Sequence, residues 1–366
     1  MYETEIRIVR TRAASAPIVL LEGPRGTGMA DIARHAFPSL NYIDLENPGV
    51  LALASRSVRT FLLAFPQGAV INGAPLVPGL LEAVRYYVDK SGTGVRFVLV
   101  STCIIDTDDM GGRLVKFRFA GLSAPIIEAA KLPSYNPFRM IFDGQLEEFL
   151  YEHRSCGEIL DSCLEKDILR HINRSNLGLF KSFLAALARR SGNRLSLNAA
   201  AVETGISAPT AKTWLSVACR YGLARIVSDT DGKESLAFLF DTGIMCLLLG
   251  IAKWEDLVLS PLRDEVVRTY AFNELLRGRN MIGAGAGIYM SRISDFLADW
   301  KRRYCIIVEP NLDVTPEKAA LAKKASGAGR KAVVLYLGDV TYSMGNLDCI
   351  SFRDWAKISA EVDYFS

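Results

Sequence analysis

A glycine-rich loop near residue 23 has residue types and spacing that could bind an anion. The apolar run PIVLLE, at residues 17–22, is followed directly by GPRGTGMA at residues 23–30. This pattern predicts a strand, a tight turn and the start of a helix, whose free backbone N–H groups attract phosphates. The alternative is a purely structural turn, because glycines also occur where the backbone needs φ values that other residues resist.

Residues 195–227 form a second candidate, for contact with nucleic acid. Their sequence predicts a short helix, a turn at residues 205–207 and a longer helix that ends before Gly222. This is the layout of a helix-turn-helix, and a β-hairpin predicted around Asp231 and Gly232 would be the wing of a winged helix.

The longer of these helices is predicted to have one apolar face and one polar face. Trp214 lies beside apolar residues that recur at helical spacing and would face the core: Ala211, Leu215 and Ala218. Lys212, Ser216 and Arg220 are four residues apart and project from the opposite side. Two cations and a hydroxyl suit DNA phosphates and base edges. The alternative is a winged helix that serves only as a rigid packing module.

Positive charge is concentrated around this predicted module. The whole chain has a formal net charge of only +3, which decides nothing about partners. Residues 181–225, however, contain seven cations and a single carboxylate, Glu203, for a local net charge of about +6. This segment is therefore where an anionic partner such as DNA is expected.

The elements that would position these residues change in type along the chain. Up to about residue 103, apolar strands alternate with helical patterns, which predicts a parallel sheet covered on both faces. The middle is mainly helical, and the last part again contains strands and a helix. We therefore predict an α/β protein with domains at residues 1–135, 136–245 and 246–366.

Composition sets limits on the class of protein. The 366 residues are 50% hydrophobic and 23% charged, which is typical of a globular chain with more than one core. No apolar run reaches the roughly 18 residues of a membrane span. Seven scattered cysteines without a CxxC spacing, and only three histidines, predict buried thiols rather than a zinc site. We expect a cytoplasmic protein without membrane association.

These stretches resemble a large prokaryotic family of predicted AAA-type P-loop ATPases that carry a winged-helix segment and a C-terminal domain of otherwise unknown function. The resemblance extends over nearly the whole chain. The family's opening motif reads G-P-R-x-x-G-K-[ST], and Gly23, Pro24, Arg25 and Gly28 stand in the matching places. The resemblance implies a P-loop NTPase-like sheet, then a helical winged-helix region, then a small restriction-nuclease-like α/β domain.

The chain departs from the family pattern at the positions on which ATP hydrolysis depends. Met29 stands in place of the lysine that reaches the β- and γ-phosphates, and Ala30 in place of the hydroxyl that ligates magnesium. Asn72 and Gly73 replace the two carboxylates of the second motif, so the metal and the attacking water lose their partners. The resemblance therefore implies a degenerate ATPase.

Two further positions belong to the same implied site. The family's Thr-Gly-Ser sequence corresponds to VST at residues 100–102, and Arg113 ends a following Gly-Arg element. Arg113 is a candidate remnant phosphate sensor, with a structural arginine as the alternative. The vestigial nucleotide site is thus expected to contain Gly23, Pro24, Arg25, Gly26, Thr27, Gly28, Met29, Ala30 and Arg113.

The C-terminal part resembles the family's nuclease-like domain, whose signature combines acidic residues with Glu-x-Lys. Asp295 precedes a strand and Glu309 holds the glutamate place, but Asn311 stands for the lysine and Ile293 for the first acid. Asp295 and Glu309 are weak magnesium candidates, and the lysine that assists the attacking water is absent. We expect no nuclease activity, with the two acids serving as ordinary surface or strand-end residues.

The expected function is a DNA-associated or regulatory scaffold that does not hydrolyse ATP. No cofactor is expected, although weak ATP or phosphate binding is compatible with a helix N-terminus. Two alternatives stay open. One is a divergent ATPase that holds phosphate with Arg25 or Arg113, and the other is a protein-binding module that contacts protein partners or forms a homo-oligomer.

Overall fold

The computed structural model describes residues 3–91, 94–123, 127, 136–150, 152–229, 234–282, 287–291, 294–299, 303–327 and 329–355. The chain forms two compact units, Met1–Phe119 and Ala120–Ser366.

The first unit contains a five-stranded parallel sheet. Its strands are β1 (Ile18–Glu22), β2 (Asn41–Asp44), β3 (Ala69–Asn72), β4 (Phe97–Ser101) and β5 (Leu114–Arg118). They pair in the order β2-β3-β4-β1-β5, and every pair is parallel. β1 and β4 are buried along their whole length, as expected for strands covered on both faces.

Helices cover both faces of this sheet. They are α1 (Glu3–Ala13), α2 (Met29–Ala36), α3 (Pro48–Arg56), α4 (Val58–Leu62) and α5 (Leu80–Ser91). α2 packs against β1, β3 and β4, and α1 packs against α2 and β5. A separate core joins Ile18 and Leu20 of β1 to buried residues of α3, α4 and α5, namely Ala54, Leu62 and Val84. The predicted α/β class, with a parallel sheet flanked by helices, is confirmed.

The second unit contains the remaining helices of the described residues. They are α6 (Pro137–Asp143), α7 (Glu147–Leu150), α8 (Cys156–Lys166), α9 (Leu177–Ala188), α10 (Leu197–Thr204), α11 (Ala208–Arg220), α12 (Thr242–Leu249), α13 (Trp254–Leu259), α14 (Arg263–Ile282) and α15 (Pro316–Ser326). Ser207 begins α11 because its side chain accepts a hydrogen bond from the Thr210 N–H, with Pro209 in the first turn, a favourable helix start.

α9, α10 and α11 pack in sequence and lead into a hairpin. The hairpin consists of the antiparallel strands β6 (Ala224–Ser228) and β7 (Ser235–Leu239). An isolated bridge joins Arg194, which precedes α10, to Leu236 of β7. The turn predicted at Asp231 and Gly232 lies outside the described residues.

A mixed six-stranded sheet follows. Its strands are β8 (Gly287–Met290), β9 (Phe296–Asp299), β10 (Arg303–Glu309), β11 (Lys331–Tyr336), β12 (Tyr342–Met344) and β13 (Leu347–Ser351). The order is β12-β13-β11-β10-β9-β8, with β10, β11 and β13 parallel. α15 connects β10 to β11 and packs on both strands. The division into three domains stays a prediction.

Candidate functional site

The glycine-rich loop follows the central strand β1 and leads into α2. The Gly23 N–H donates to the Ser101 carbonyl of β4 at 3.1 Å, which anchors the start of the loop. Gly26 and Gly28 have φ values of 85° and 74°, which favour glycine. Because α2 begins at Met29 and Gly28 offers no side-chain cap, the first N–H groups of the helix point toward the loop.

Side chains of the glycine-rich loop contact other residues of the first unit. Arg25 pairs with Glu46 at 2.7 Å, and both side chains are largely buried. The Thr27 hydroxyl donates to the Pro24 carbonyl at 2.7 Å. Met29 is only 5% exposed, and its sulfur lies 3.0 Å from the position that a Cβ on Gly23 would take. The thioether therefore packs across the loop, and the Arg25 guanidinium already holds a carboxylate.

The ends of β2 and β3 form one hydrogen-bonded cluster beside this loop. The Asn72 side-chain amide donates to Asp44 Oδ1 at 3.1 Å. The same oxygen accepts the Glu46 N–H at 2.9 Å. The resemblance implies a carboxylate at position 72. Asn72 instead donates a hydrogen bond to a carboxylate of the neighbouring strand, that of Asp44.

Glu22 is a buried carboxylate at the base of the loop. It is 1% exposed and accepts the Ile105 N–H at 2.7 Å. Two cations of β5 lie beside it, with Arg118 Nε at 3.3 Å and Lys116 Nζ at 3.7 Å. Because these cations neutralise Glu22, they are not simply available to an incoming phosphate.

Arg113 is not brought to the loop. In the pairing of β5 with β1, Leu114 lies opposite Ile18 and Arg118 opposite Glu22. Arg113 therefore precedes the amino end of β5, whereas the loop follows the carboxyl end of β1, roughly 13 Å further along the sheet. There Arg113 pairs with Asp89 at 2.5 Å. The residue at the loop's edge of this strand is Arg118, so the geometry gives no support to Arg113 as a phosphate sensor.

The Ser101 hydroxyl forms its hydrogen bonds within the turn that follows β4. Ser101 is fully buried, and its hydroxyl donates to the Cys103 carbonyl at 2.5 Å and accepts the Cys103 N–H at 3.2 Å. This hydroxyl closes the turn after β4.

α11 separates an apolar face from a polar one, as its sequence predicts. Ala211, Leu215 and Ala218 are buried, whereas Lys212, Ser216 and Arg220 are exposed. Trp214 fixes the buried face, because its ring lies 5.5 Å from Phe180 and 5.9 Å from Phe183 of α9. Such edge-on aromatic contacts hold the helix in one orientation.

Several cations of this region form ion pairs with carboxylates and are therefore less available to a partner. Arg189 and Arg190 both bind Glu203, the latter at 2.6 Å. Lys181 pairs with Asp161 at 3.0 Å and Arg194 with Glu234 at 2.7 Å. Within the described ranges no carboxylate pairs with the two cations on the exposed face of α11, Lys212 and Arg220.

The carboxylates of Asp295 and Glu309 are both engaged in the local fold. Asp295 accepts from Arg268 Nε and from the Val308 N–H, each at 2.7 Å. Glu309 is 1% exposed and accepts from Asn311 and from the Thr315 hydroxyl, each at 2.6 Å. The position expected for the first acid, Ile293, lies outside the described residues.

A cleft of about 470 Å³ lies between Asp295 and α15. Its charged groups are Asp295, which Arg268 neutralises, and the two lysines Lys318 and Lys324. Two lysines repel a metal cation, so this cleft does not favour magnesium.

The seven cysteines form no disulfide in the described structure, and most of them are buried. Burial raises the pKa of Cys219 to about 11. Burial, with the nearby carboxylates Asp241 and Asp143, raises the pKa of Cys246 to about 12. Thiols with such pKa values are unreactive at neutral pH.

Among the described residues, none of the helices combines the length and the hydrophobicity of a transmembrane span.

One segment of the chain matches a protein-family model. Residues 151–255 match a domain of unknown function (DUF8612). A search of curated proteins finds no match.

Several solved structures are similar to the chain at low identity. One is a Walker-type ATPase of Pyrococcus abyssi, with 15% identity, a TM-score of 0.44, and coverage of 68% of this chain and 95% of that one. Another is a signal transduction ATPase with numerous domains from Pyrococcus horikoshii, with 12% identity, a TM-score of 0.26, and coverage of 76% and 47%. RuvB of Thermotoga maritima has 14% identity, a TM-score of 0.29, and coverage of 64% and 90%. Similarity at this level assigns no activity.

Three carboxylates of the loop region were missing from the sequence expectations: Glu22, Asp44 and Glu46. A usable signal was present, because parallel strands end at the same edge of a sheet. Glu22 is the last residue of β1, Asp44 is the last of β2, and Glu46 follows two residues later. Which cation each would bind depends on strand order, which the sequence does not state.

Proposed function

We propose that this protein is a P-loop-like scaffold without ATP hydrolysis that associates with DNA through a winged helix formed by residues 177–239. The observation that carries the proposal is the division of α11 into a face buried on α9 and an exposed face with Lys212, Ser216 and Arg220.

The order of elements around α11 supports a winged helix. α9, the bridge at Arg194, α10, α11 and the β6–β7 hairpin follow one another, and the hairpin packs against α9 and α11. In modules of this type the second helix of the helix-turn-helix enters the major groove and its exposed residues contact the DNA. In this chain that helix is α11.

The paired cations nearby favour a narrow contact surface. Carboxylates of the same unit pair with four cations, Lys181, Arg189, Arg190 and Arg194, so the charge of these cations is partly neutralised. Lys212 and Arg220 lie on one face of one helix, about two turns apart, and lysine and arginine are common contacts to DNA phosphates.

The glycine-rich loop supports the absence of hydrolysis. Met29 packs across it and Arg25 is bound to Glu46, so the loop is filled by its own side chains. We propose that any nucleotide or phosphate binds weakly at this loop. We also propose that the fold requires no bound cofactor.

The C-terminal sheet is proposed to be a nuclease-like fold retained as a scaffold. Asp295 and Glu309 stand at the ends of β9 and β10, where such a centre would lie, and both are bound by donors of the protein. Their engagement supports a structural role.

The test is DNA affinity of a variant that lacks both exposed cations. Lys212→Ala with Arg220→Ala is expected to raise the Kd for unrelated duplexes about tenfold or more. It should also flatten the dependence of log Kd on log salt by about two units, because each lost phosphate contact removes roughly 0.9 of slope. The measurement is fluorescence anisotropy with two labelled duplexes at several salt concentrations.

The matched control removes two exposed cations elsewhere in the same unit. Lys323→Ala with Lys324→Ala on α15 gives the same change in net charge and is expected to leave the salt slope nearly unchanged. Equal Kd values for the two double variants would refute DNA binding through α11 and would favour the protein-binding alternative.

A further inference from the structure

A hydrogen bond joins the end of α11 to a turn more than forty residues earlier in the chain. His171 Nε2 and the Tyr221 hydroxyl lie 2.8 Å apart, and the two rings are 5.4 Å apart between centroids. Tyr221 directly follows Arg220, the last residue of α11, and His171 directly follows the 3-10 turn Ile168–Arg170. The turn is thus held near the end of α11 that carries Arg220.

The groups exposed at this junction are mostly cationic. Arg170, His171 and Arg220 are all exposed, and no carboxylate in the described ranges pairs with either arginine. The neighbouring end of α8 adds Glu165, Lys166 and Asp167, of which Asp167 is buried, and Arg174 is exposed on the following turn. Positive charge therefore continues from α11 onto a second element.

We propose that the DNA-contacting surface extends from α11 onto this turn, with Arg170 and His171 contacting phosphates, so that DNA affinity rises as the pH falls. The proposal rests on the proposed function, because it needs DNA seated on α11. It assigns two binding residues that lie outside the helix-turn-helix and its wing.

The environment of His171 gives the direction of the pH effect. Its pKa lies below the ordinary value, first because of partial burial and then because Arg220 and Arg170 repel the imidazolium. A phosphate bound between these arginines reverses the sign of the local field and favours the charged ring. Binding of DNA is therefore expected to raise the pKa of His171.

The sign of the linkage follows from that difference. When the pKa is higher in the complex, binding takes up a proton in the interval between the two pKa values. Affinity then rises as the pH falls through the higher pKa of the complex and levels off below the lower pKa of the free protein. Tyr221 permits both states, because its hydroxyl can donate to a neutral ring or accept from the imidazolium.

The first experiment compares the pH dependence of DNA affinity in matched histidine variants. Anisotropy of one labelled duplex is measured from pH 8.0 to 5.5 at constant ionic strength. The unmodified protein is expected to gain about three- to tenfold in affinity toward low pH, since a shift of one pKa unit corresponds to a factor of ten. His171→Gln is expected to abolish most of this gain. His35→Gln and His153→Gln alter the other two histidines of the chain and should retain it.

The second experiment observes the His171 ring directly in the unmodified protein. It therefore gives a result even if a histidine variant does not fold. Titration of the histidine resonances by NMR, with and without a short duplex, is expected to move the His171 midpoint to higher pH. Arg170→Ala is expected to raise the Kd severalfold at pH 7, with an unchanged circular dichroism spectrum.

The outcomes separate this inference from the proposed function. Absence of DNA binding at every pH overturns both. DNA binding that depends on Lys212 and Arg220, but with the same pH profile in His171→Gln or with no effect of Arg170→Ala, overturns only the extended surface. An unchanged His171 midpoint on addition of a duplex that binds would also overturn the extended surface.

Discussion

Arg25 and Asn72 both bind carboxylates at the end of β2, and these contacts explain how the loop is ordered by the protein itself. Arg25 forms an ion pair with Glu46 at 2.7 Å, and the Asn72 amide donates a hydrogen bond to Asp44 at 3.1 Å. An arginine–carboxylate pair that is partly shielded from water is held more firmly than an exposed one. An anion that enters the loop must compete with Glu46 for this guanidinium.

Glycine is required at some turns of the first unit for different physical reasons. Gly68 has a φ of 97°, and a Cβ there would lie 1.7 Å from the Arg96 carbonyl oxygen. Gly79 has a φ of 76°, but nothing lies within 4 Å of its Cβ position. The two sites share the left-handed backbone and differ in the space available.

This difference predicts unequal costs for the same substitution. Gly79→Ala should lower the free energy of unfolding by about 1 kcal/mol, the cost of a left-handed alanine. Gly68→Ala should lower it by about 3 kcal/mol or more, because the backbone of residue 96 must also move. Denaturant unfolding of the two variants measures both values, and similar losses would show that the contact with Arg96 is relieved easily.

Residue types at the candidate sites could be read from the sequence more easily than their partners. The alternation of buried and exposed residues along α11 follows from helical periodicity alone. The pairing of Arg113 with Asp89, and its distance from the loop, depends instead on the register of β5 against β1. A spacing along the chain cannot supply that register.

Within the second unit, α14 buries charged groups that its sequence does not mark as buried. Arg277 bonds to the Ala120 carbonyl at 2.8 Å, to Glu274 at 3.2 Å and to Gln145. Gln145 also bonds to Glu274 and to Tyr270. These contacts tie the start of the unit to α14.

Breaking this network is predicted to be costly. Arg277→Met should lower the free energy of unfolding by about 3 to 5 kcal/mol, because the fully buried carboxylate of Glu274 loses the cation that lies 3.2 Å from it. Arg263→Met, in the first turn of the same helix, removes an exposed pair with Asp264 and should cost no more than about 1 kcal/mol. Thermal or denaturant unfolding provides the comparison.

A second change tests the electrostatic origin of the loss. Arg277→Met combined with Glu274→Leu removes both charges and should recover a large part of the stability. If the double variant is less stable than Arg277→Met alone, packing of the arginine stem rather than charge accounts for the effect.

Elements with regular periodicity were predicted best. α12 and α15 have apolar residues at helical spacing, so that their sequences alone indicate helices. α1 was not predicted, because the alternating charges of its sequence obscure the apolar side that buries Val9 and Ala13. β5 was also missed, since it is an edge strand in which Lys116 and Arg118 interrupt the apolar pattern.

At the scale of the whole molecule, the expectation from charge has to be revised by pairing. A local excess of about +6 by sequence includes four cations that bind carboxylates of their own unit, Lys181, Arg189, Arg190 and Arg194. The field available to a partner is therefore concentrated on fewer groups than composition suggests. Charge counting indicates a segment, and the ion pairs of the fold distinguish the engaged cations of that segment from the others.

Several residues bear on the proposed absence of ATP hydrolysis. Met29 offers no ammonium for the β- and γ-phosphates, Ala30 no hydroxyl for magnesium, and Asn72 no carboxylate. Gly73 adds a structural obstacle, because its φ of 77° and the Leu76 side chain 3.0 Å from its Cβ position disfavour a glutamate there. Restoring one group thus leaves the remaining roles unfilled.

We predict that the purified chain releases no phosphate from ATP above background and that Met29→Lys alone does not change this. Losses of about 100-fold or more at each of several roles place turnover below detection. Met29→Lys can restore at most a phosphate contact, because magnesium still lacks both its hydroxyl and its carboxylate. The assay measures phosphate release at saturating ATP and magnesium, with Gly28→Val as the control for contaminating ATPases, since valine resists the left-handed φ of 74° at that position. Turnover of about one per minute or faster, lost in the Gly28→Val protein, would establish a divergent ATPase and would require Arg25 to leave Glu46 when nucleotide binds.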